Sequence, residues 1–263
     1  MTNTSKMSSQ ILSKYVIKRK IESGADGTVY KARCKDNGEI VAVKIAKRKG
    51  EGFPIEIFNN LILRRSGIDG IARMLDYEVN SSEYMIVMEC MPCDLYTYST
   101  LKTLTEDESR NIVKQLVYIL LSMQNKAGLS HMDIKIENCL MNPNTNQVKL
   151  CDFSACANVE TLVADSKGKG TVAYWAPEIL SRRRFYPTRS NVWAIGILAY
   201  SILPGHDDVP WDKYKDGMIN ELTFSSSVSQ EAKDFVMTCL EPDVRVRVPL
   251  KYLINMKWLK NTN

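Results

Sequence analysis

Histidine is almost missing from this chain, with only two in 263 residues. Long hydrophobic runs are missing altogether: the longest apolar stretch, Val192 to Leu203, is too short to span a bilayer, so no contact with a membrane is expected. The opening residues, MTNTSKMSSQ, lack the basic, apolar and small-residue succession of a secretory signal. That absence predicts an intracellular protein, cytoplasmic with the nucleus as a second compartment. The seven cysteines are odd in number and scattered, which suggests neither a disulfide framework nor a zinc site and fits a reducing environment. A concentrated basic patch is also lacking. The net charge of +5 is spread out, with small clusters at Lys18 to Lys20, Lys47 to Lys49 and Arg182 to Arg184 that read as solvated surface, so no nucleic-acid partner is expected.

What remains is ordinary globular material, 44% hydrophobic and 25% charged. The length suits one large domain or two lobes sharing a cleft. Residues 1–14 read as a flexible tail. From Tyr15 to Val87 the pattern is mostly strand-like: YVIKRKI, TVYKARC, a turn at DNGE, then IVAVKIA, whose alternation and β-branched content favour antiparallel hairpins. A helix is expected from about Pro54 to Arg65, and EYMIVME is a further strand. After Glu89 the character changes. Thr105 and Glu108 form a capping box, and Ile112, Val113, Leu116, Val117 and Leu120 recur at helical spacing until Gly128 supplies a stop. Short strands flank Asn142 to Gln147, a long irregular segment runs from Asp152 to Glu178, and helices include Asn191 to Leu203 and Gln230 to Leu240. The expectation is an α+β chain with a β-rich lobe over 15–89 and a mainly helical lobe over 90–263.

Five short stretches and a late arginine carry chemistry. In ESGADGTV, Gly24 and Gly27 let backbone amides approach an anion, although a plain β-turn explains the same residues. In VAVK, Lys44 ends an apolar strand; if it points inward it needs an anionic partner, and Glu56 is the candidate. In SHMDIKIENCL, Asp133 can accept a proton from a hydroxyl, Lys135 can neutralise a transferring phosphoryl group, and Asn138 can offer a carbonyl oxygen to a metal ion. In CDFS, Asp152 is a hard oxygen ligand suited to Mg²⁺. GTVAYWAPE at 170–178 and Arg247 complete the series.

In order and spacing these stretches resemble a protein kinase domain over Tyr15 to Trp258. The resemblance implies a bilobal α+β fold and an ATP- and Mg²⁺-dependent transfer of the γ-phosphate to protein substrates, by a monomer. Gly24 and Gly27 would cover the ATP phosphates, with Ile21, Val29 and Ala42 beside the nucleotide. Lys44 would bind its α- and β-phosphates while paired with Glu56. Asp133 would orient or deprotonate the substrate hydroxyl, Lys135 would touch the γ-phosphate, and Thr171 would brace both. Asn138 and Asp152 would hold Mg²⁺. Met88 would be the gatekeeper, Glu89 to Met91 the hinge, and Asp94 a ribose neighbour. Glu178 and Arg247 would form a buried structural ion pair. The lysine two after Asp133, with GTxxYxAPE, is the serine/threonine pattern. FPIEIF, GIARMLDYE, DIKIENCLMN, YPTRSNVWAIGILAY and GHDDVPW are similar to the PIM kinases, and this similarity selects Glu56 over position 59 as the helix glutamate. The stretch ECMPCDL is shorter than a PIM hinge.

Several positions depart from the kinase pattern. Glu22 replaces the first glycine of the loop and Asp26 its aromatic tip, placing acids near a polyphosphate; Ser154 replaces the glycine of the metal-binding motif. Asn191 replaces an aspartate that supports the catalytic loop, which predicts weaker support. Met132 replaces an arginine that in regulated kinases grips a phosphorylated residue, so a site that assembles without loop phosphorylation is expected; Thr161 and Ser166 are phosphosites without an evident receiver. Glu137, Asp94, Asp207 and Asp208 place acids where a peptide would lie, which predicts substrates basic around the target residue. A pseudokinase scaffold is the alternative, opposed by the intact set Lys44, Asp133, Asn138 and Asp152.

Overall fold

Period-two alternation of apolar residues builds the first of two compact units. A computed structural model describes residues 9–24, 26–163, 170–181, 184–205 and 222–260. Residues 1–8 of the expected tail, Ser166, Arg182, Asp207 and Asp208 lie outside the described residues. The first unit takes residues 1–65 and 72–91, the second 66–71 and 92–263.

In the first unit, helix α1 (Gln10–Lys14) precedes strands β1 (Tyr15–Gly24), β2 (Gly27–Cys34) and β3 (Ile40–Lys47); then come helix α2 (Ile55–Arg65) and strands β4 (Met74–Val79) and β5 (Glu83–Glu89). The strands form one antiparallel sheet in the order β1-β2-β3-β5-β4. Alternation separates its two faces. Ala32, Val41, Val43, Met85 and Val87 point to one side, where Ile11 of α1 joins them; Ile86 and Met74 point to the other and pack with Ile57 of α2. The expected tail therefore starts earlier as structure than the sequence suggested. Ser9 caps α1, and Glu78 of β4 accepts bonds from the Ser9 hydroxyl (2.7 Å) and the Ile11 amide (2.9 Å). Full burial of Ile11, 1% exposed, contributes roughly 1.5–3 kcal/mol, more than a five-residue helix could gain alone.

The second unit is built on helices. Strand β6 (Cys93–Asp94) leads into α3 (Leu95–Leu101), whose N-terminal amides are capped by Asp94. Helix α4 (Glu106–Ser122) starts at the Thr105/Glu108 capping box, and Ile112, Val113, Leu116, Val117 and Leu120 are all buried. It ends in a single π turn over Met123–Ala127, closed by Gly128 at φ 64°. Strands β7 (Leu129–Ser130), β8 (Cys139–Asn142), β9 (Gln147–Leu150) and β10 (Ala157–Asn158) follow. They form two small sheets, β10-β7 and β6-β8-β9. Helix α5 (Pro177–Leu180) is short; α6 (Pro187–Ile202) is apolar nearly all round and correspondingly buried. Its start lies four residues before the expected Asn191, because Pro187 occupies the first turn, where its missing N–H costs nothing. Helices α7 (Gln230–Cys239), α8 (Leu250–Leu253) and α9 (Lys257–Lys260) complete the unit. Among the described residues no helix is long and apolar enough to cross a membrane.

Candidate active site

The antiparallel register puts Val29 opposite Lys44, and Ala42 opposite Met88, so these four side chains share one face of the first sheet. It is the face on which α2 packs. Lys44, 5% exposed, meets Glu56 in the first turn of α2, with Nζ 2.8 Å from Oε1. The hydroxyl of Tyr84 donates to the other oxygen, Oε2, at 2.8 Å. A buried carboxylate with both oxygens bonded and a cation beside it avoids the cost of an unpaired charge. Position 59 is a buried asparagine, so of the two alternatives it is Glu56 that meets the lysine.

Gly24 and Gly27 face each other at the β1–β2 turn. Gly27 has φ 132°, and a Cβ there would come within 2.5 Å of the Ile45 carbonyl, so only glycine fits. Asp26 is paired with Lys49 at 3.1 Å on the surface, which offsets part of the negative charge expected at this tip. Ile21 and Glu22 are both exposed on β1, where the register shifts between Lys20 and Glu22 and leaves Ile21 out of the pairing. Glu89 accepts from the Arg73 amide at 3.2 Å; Met91 follows β5 in irregular backbone and is half-buried.

In the second unit the catalytic-loop stretch is knotted around Asp133. Its Oδ1 accepts from the Thr171 amide at 2.8 Å, and its Oδ2 accepts from Asn138 Nδ2 at 2.9 Å. Lys135 Nζ lies 3.8 Å from the same Oδ2. Thr171 thus reaches Asp133 through its main chain. Asn138 also donates to the Asp133 carbonyl at 2.8 Å, which commits its amide nitrogen and turns its carbonyl oxygen elsewhere. Asp152 adopts φ 59°, an uncommon conformation for a residue with a side chain, and its Oδ1 accepts from the Ser154 amide at 3.2 Å. Positive φ falls on Asp152 itself and not on Ser154, the position of the missing glycine.

His131 is fully buried and bridges Cys151 and Asp133. Its Nε2 is 3.0 Å from the Cys151 carbonyl, its Nδ1 accepts from the Asp133 amide at 3.3 Å, and its ring meets Phe153 edge-on at 5.4 Å. Burial pushes its pKa below the ordinary value, so the ring is the neutral tautomer with the proton on Nε2. Asn191, also buried, accepts from the Met132 amide at 3.1 Å, and Met132 has φ 69°. The asparagine therefore supplies the loop with an acceptor from α6. Gly170 closes the arrangement: at φ 85°, a Cβ would come 2.8 Å from the Met132 carbonyl and 3.4 Å from Asp133 Oδ1.

A family model described as protein kinase domain matches residues 15–259. The chain belongs to the protein kinase family. It is 27% identical to the serine/threonine-protein kinase pim-2 of Danio rerio, over 95% of this chain and 86% of that protein. It is 30% identical to the serine/threonine-protein kinase prk-2 of Caenorhabditis elegans, over 94% and 58%. It is also 30% identical to a hormonally up-regulated neu tumor-associated kinase homolog of Xenopus laevis, over 94% and 38%. The chain thus spans most of the first relative and much less of the other two. It is a eukaryotic-type serine/threonine protein kinase, similar to the PIM kinases at low identity, and the pseudokinase alternative finds no support in these relatives. Membership of this family implies the use of ATP and a divalent metal ion in general.

The kinase's Glu178 and Arg247 form the buried pair expected of them. Arg247 is 0% exposed, and its guanidinium binds Glu178 through Nη1–Oε1 at 2.7 Å and Nη2–Oε2 at 2.9 Å. Arg247 also donates to the carbonyls of Glu241 and Arg189, and lies 4.9 Å over the Trp193 ring. Ser190 adds a bond to Glu178. Asp94 has its Oδ1 engaged by the Thr97 amide at 2.6 Å, a capping duty the sequence reading did not assign. Sequence reasoning also missed Tyr84 and Gly170, and overlooked that Cys90-Met91-Pro92-Cys93 is a pair at two-residue spacing. Both are reduced thiols whose pKa burial raises.

Proposed function

We propose that this kinase phosphorylates serine and threonine in arginine- or lysine-rich segments, and that its site assembles without phosphorylation of the segment after Asp152. The observation that carries the catalytic part is Asp133, with one oxygen fixed by the Thr171 amide and the other by Asn138. A carboxylate so held keeps its direction toward an incoming hydroxyl; as that oxygen bonds to the γ-phosphorus and the bond to the β-phosphate oxygen breaks, releasing ADP, the hydroxyl proton passes to Asp133. Lys135 offsets charge on the transferring group. Gly24, Gly27 and Lys44 are the phosphate ligands of this reading, with Ile21, Val29, Ala42, Met88, Glu89, Met91 and Asp94 beside the rest of the nucleotide. Asn138 and Asp152 suit Mg²⁺, because both present hard oxygen donors and the asparagine nitrogen is already committed. Bound there, the metal ion would neutralise phosphate charge and align it for in-line displacement.

Two further observations support the finer reading. Glu137, one residue before Asn138, has a buried Oε2 with no hydrogen-bond partner among the described residues. An unpaired carboxylate oxygen is costly and favours an arriving cation. The segment after Asp152 is held by main-chain bonds: β10 pairs with β7, Val159 donates to the Gly128 carbonyl, and Val163 exchanges two bonds with Phe185. None of these bonds needs a phosphate, and Met132 could not bind one.

The test is γ-phosphate transfer from ATP to an arginine-biased peptide library, comparing phosphatase-treated wild type with Asp133→Asn and Glu137→Gln. Asp133→Asn abolishes transfer, Glu137→Gln flattens the arginine preference, and phosphatase treatment changes neither. Equal transfer by wild type and Asp133→Asn would overturn the catalytic reading. Loss of activity on phosphatase treatment would overturn only the claim about assembly.

A further inference from the structure

The turn between β1 and β2 carries a nucleophile that the reaction described above does not use. Ser23 is exposed, and it follows Lys18, Arg19 and Lys20 with only Ile21 and Glu22 between. We propose that Ser23 is phosphorylated by a second copy of this kinase, and that the phosphate weakens the binding of ATP in the copy that carries it. The basic run matters because serines in arginine- or lysine-rich segments are the substrates proposed above, and the inference rests on that reading.

Exposure and backbone single out this hydroxyl. Ser66, Thr171 and Thr188 also follow two or more basic residues within five positions, but all three are half-buried. Thr171 lies against Asp133, and Thr188 sits in the first turn of α6. Ser23 is exposed on a strand, the extended form in which a segment offers its main chain and alternate side chains to a binding groove. The strand is also easily freed. β1 is the edge of its sheet and pairs with β2 alone, its residues 18–24 are exposed, and two register shifts leave Lys18 and Ile21 out of the pairing. The Ser23 hydroxyl meets that of Thr28 at 3.0 Å, an exposed bond that water replaces at little cost. Lysines on an edge strand guard a sheet against pairing with another chain, which accounts for the charges but not for the serine beside them.

The register shows why the acting copy is another chain. Ser23 stands opposite Thr28, and Thr28 opposite Ile45, which packs on the side covered by α1. Glu22 stands opposite Val29, and Val29 opposite Lys44, on the face where α2 packs. The Ser23 side chain is therefore on the far side of the sheet from Lys44, and a turn that covers its own nucleotide cannot also supply the acceptor. In the acting copy the Ser23 oxygen bonds to the γ-phosphorus of ATP. The bond from that phosphorus to the β-phosphate oxygen breaks, ADP leaves, and the hydroxyl proton passes to Asp133 of the acting copy.

Charge sets the consequence. A phosphoserine carries about −1.5 to −2 charges at pH 7. The turn already holds Glu22 on the Lys44 side, together with Asp26, which Lys49 offsets at 3.1 Å. Lys20 shares the face of Ser23, because it stands opposite Tyr30, two positions from Thr28; Lys47, on the same side, stands opposite Glu83. One lysine neutralises only part of a dianion, so the turn becomes more negative. Across one sheet, about 8–10 Å, repulsion of a polyphosphate is partly screened and depends on salt.

The experiment uses the full chain. Asp133→Asn serves as acceptor for a trace of wild type with ATP and Mg²⁺, an arginine-rich peptide in the same tube monitors the enzyme, and mass spectrometry of the digest locates the phosphate. Phosphate is expected on Ser23 of the inactive chain and is lost there when the acceptor also carries Ser23→Ala. Lys18→Gln, Arg19→Gln and Lys20→Gln together in the acceptor slow incorporation at Ser23 by about tenfold or more. Wild type phosphorylated to completion has its KM for ATP raised about threefold with kcat unchanged, and the rise disappears at about 0.5 M salt. Ser23→Ala taken through the same treatment keeps its KM for ATP. Phosphate on the peptide but none on Ser23 of the inactive chain would overturn the inference and leave the kinase reading standing. Incorporation that ignores the loss of the three basic residues, or a KM for ATP that the phosphate does not move, would overturn it as well. Transfer to neither acceptor would bring down the catalytic reading, and the inference with it.

Discussion

Replacing one member of the Glu178–Arg247 pair is the sharpest test of how the second unit is held together. The guanidinium is fully buried, with two bonds to the carboxylate and one each to the carbonyls of Glu241 (2.7 Å) and Arg189 (3.0 Å). Glu178→Gln leaves that cation buried without its counter-charge, which costs about 3–5 kcal/mol. Arg247→Met keeps the volume but strands a carboxylate and two carbonyls, and each unsatisfied buried group costs about 1–3 kcal/mol, so the total is about 4–6 kcal/mol. The double variant Glu178→Gln/Arg247→Met removes both charges and leaves unpaired the two carbonyls and the side-chain amide at position 178, while Ser190 keeps an acceptor. It is therefore more stable than the sum of the single losses by about 2–3 kcal/mol. The assay is urea unfolding of all four proteins, followed by fluorescence, with the slope compared to confirm that the same surface unfolds. In thermal terms the Glu178→Gln loss corresponds to about 6–15 °C in Tm. Single variants within about 1 kcal/mol of wild type, or strict additivity, would refute the reasoning, because they would mean that the pair is solvated or that its members act separately.

Three other outcomes follow from the geometry of the two units. Gly170→Ala forces a Cβ to within 2.8 Å of the Met132 carbonyl at φ 85°; we expect a strain of about 1–3 kcal/mol and a fall in kcat of at least tenfold with the KM for ATP little changed, measured by steady-state kinetics. Tyr84→Phe removes the donor to Glu56 Oε2 and costs about 1–3 kcal/mol, read as a lower unfolding midpoint together with a raised KM for ATP as Lys44 is held less firmly; an unchanged midpoint would show that water replaces the hydroxyl. His131, held neutral by burial below its ordinary 6.5, gives the chain an acid-side weakness. Its folded pKa is depressed, so the neutral form is favoured on folding. Stability is full above 6.5 and falls as pH drops through that value, because only the unfolded chain then takes up the proton. Urea midpoints at about pH 7.5 and about pH 5.5 check this: His131→Asn shows a smaller drop than wild type, and equal drops would assign the acid sensitivity to other groups.

What the sequence made legible was set by the range of the interaction concerned. The capping box at Thr105 and Glu108 and the stop at Gly128 were readable because each is decided within one helical turn. The strands were readable because burial on one face imposes alternation, and the kinase resemblance followed from motifs that local chemistry keeps intact. α1 was not readable. Five residues cannot sustain a helix, and QILSK becomes one only because Ile11 finds Ala32, Val43 and Met85 and because Glu78 accepts bonds from residues 9 and 11, which lie more than sixty positions away in the chain. The positive φ of Met132 and Asp152 was invisible for the same reason. Neither residue favours that conformation, and each is held there by neighbours distant in sequence: Met132 by the Asn191 carbonyl oxygen and by the close approach of Gly170, Asp152 by the loop on either side of it. Asn191 shows what such coupling does to a substitution. In the sequence it was a weakened aspartate. In the fold the loop takes an acceptor from α6 at the Met132 amide, and the carbonyl oxygen of an amide can meet that demand as a carboxylate would. The loss predicted from residue type is therefore confined to the charge; the positive φ is borne by Met132, against which Gly170 packs closely, and the His131 ring accepts from the Asp133 amide beside it.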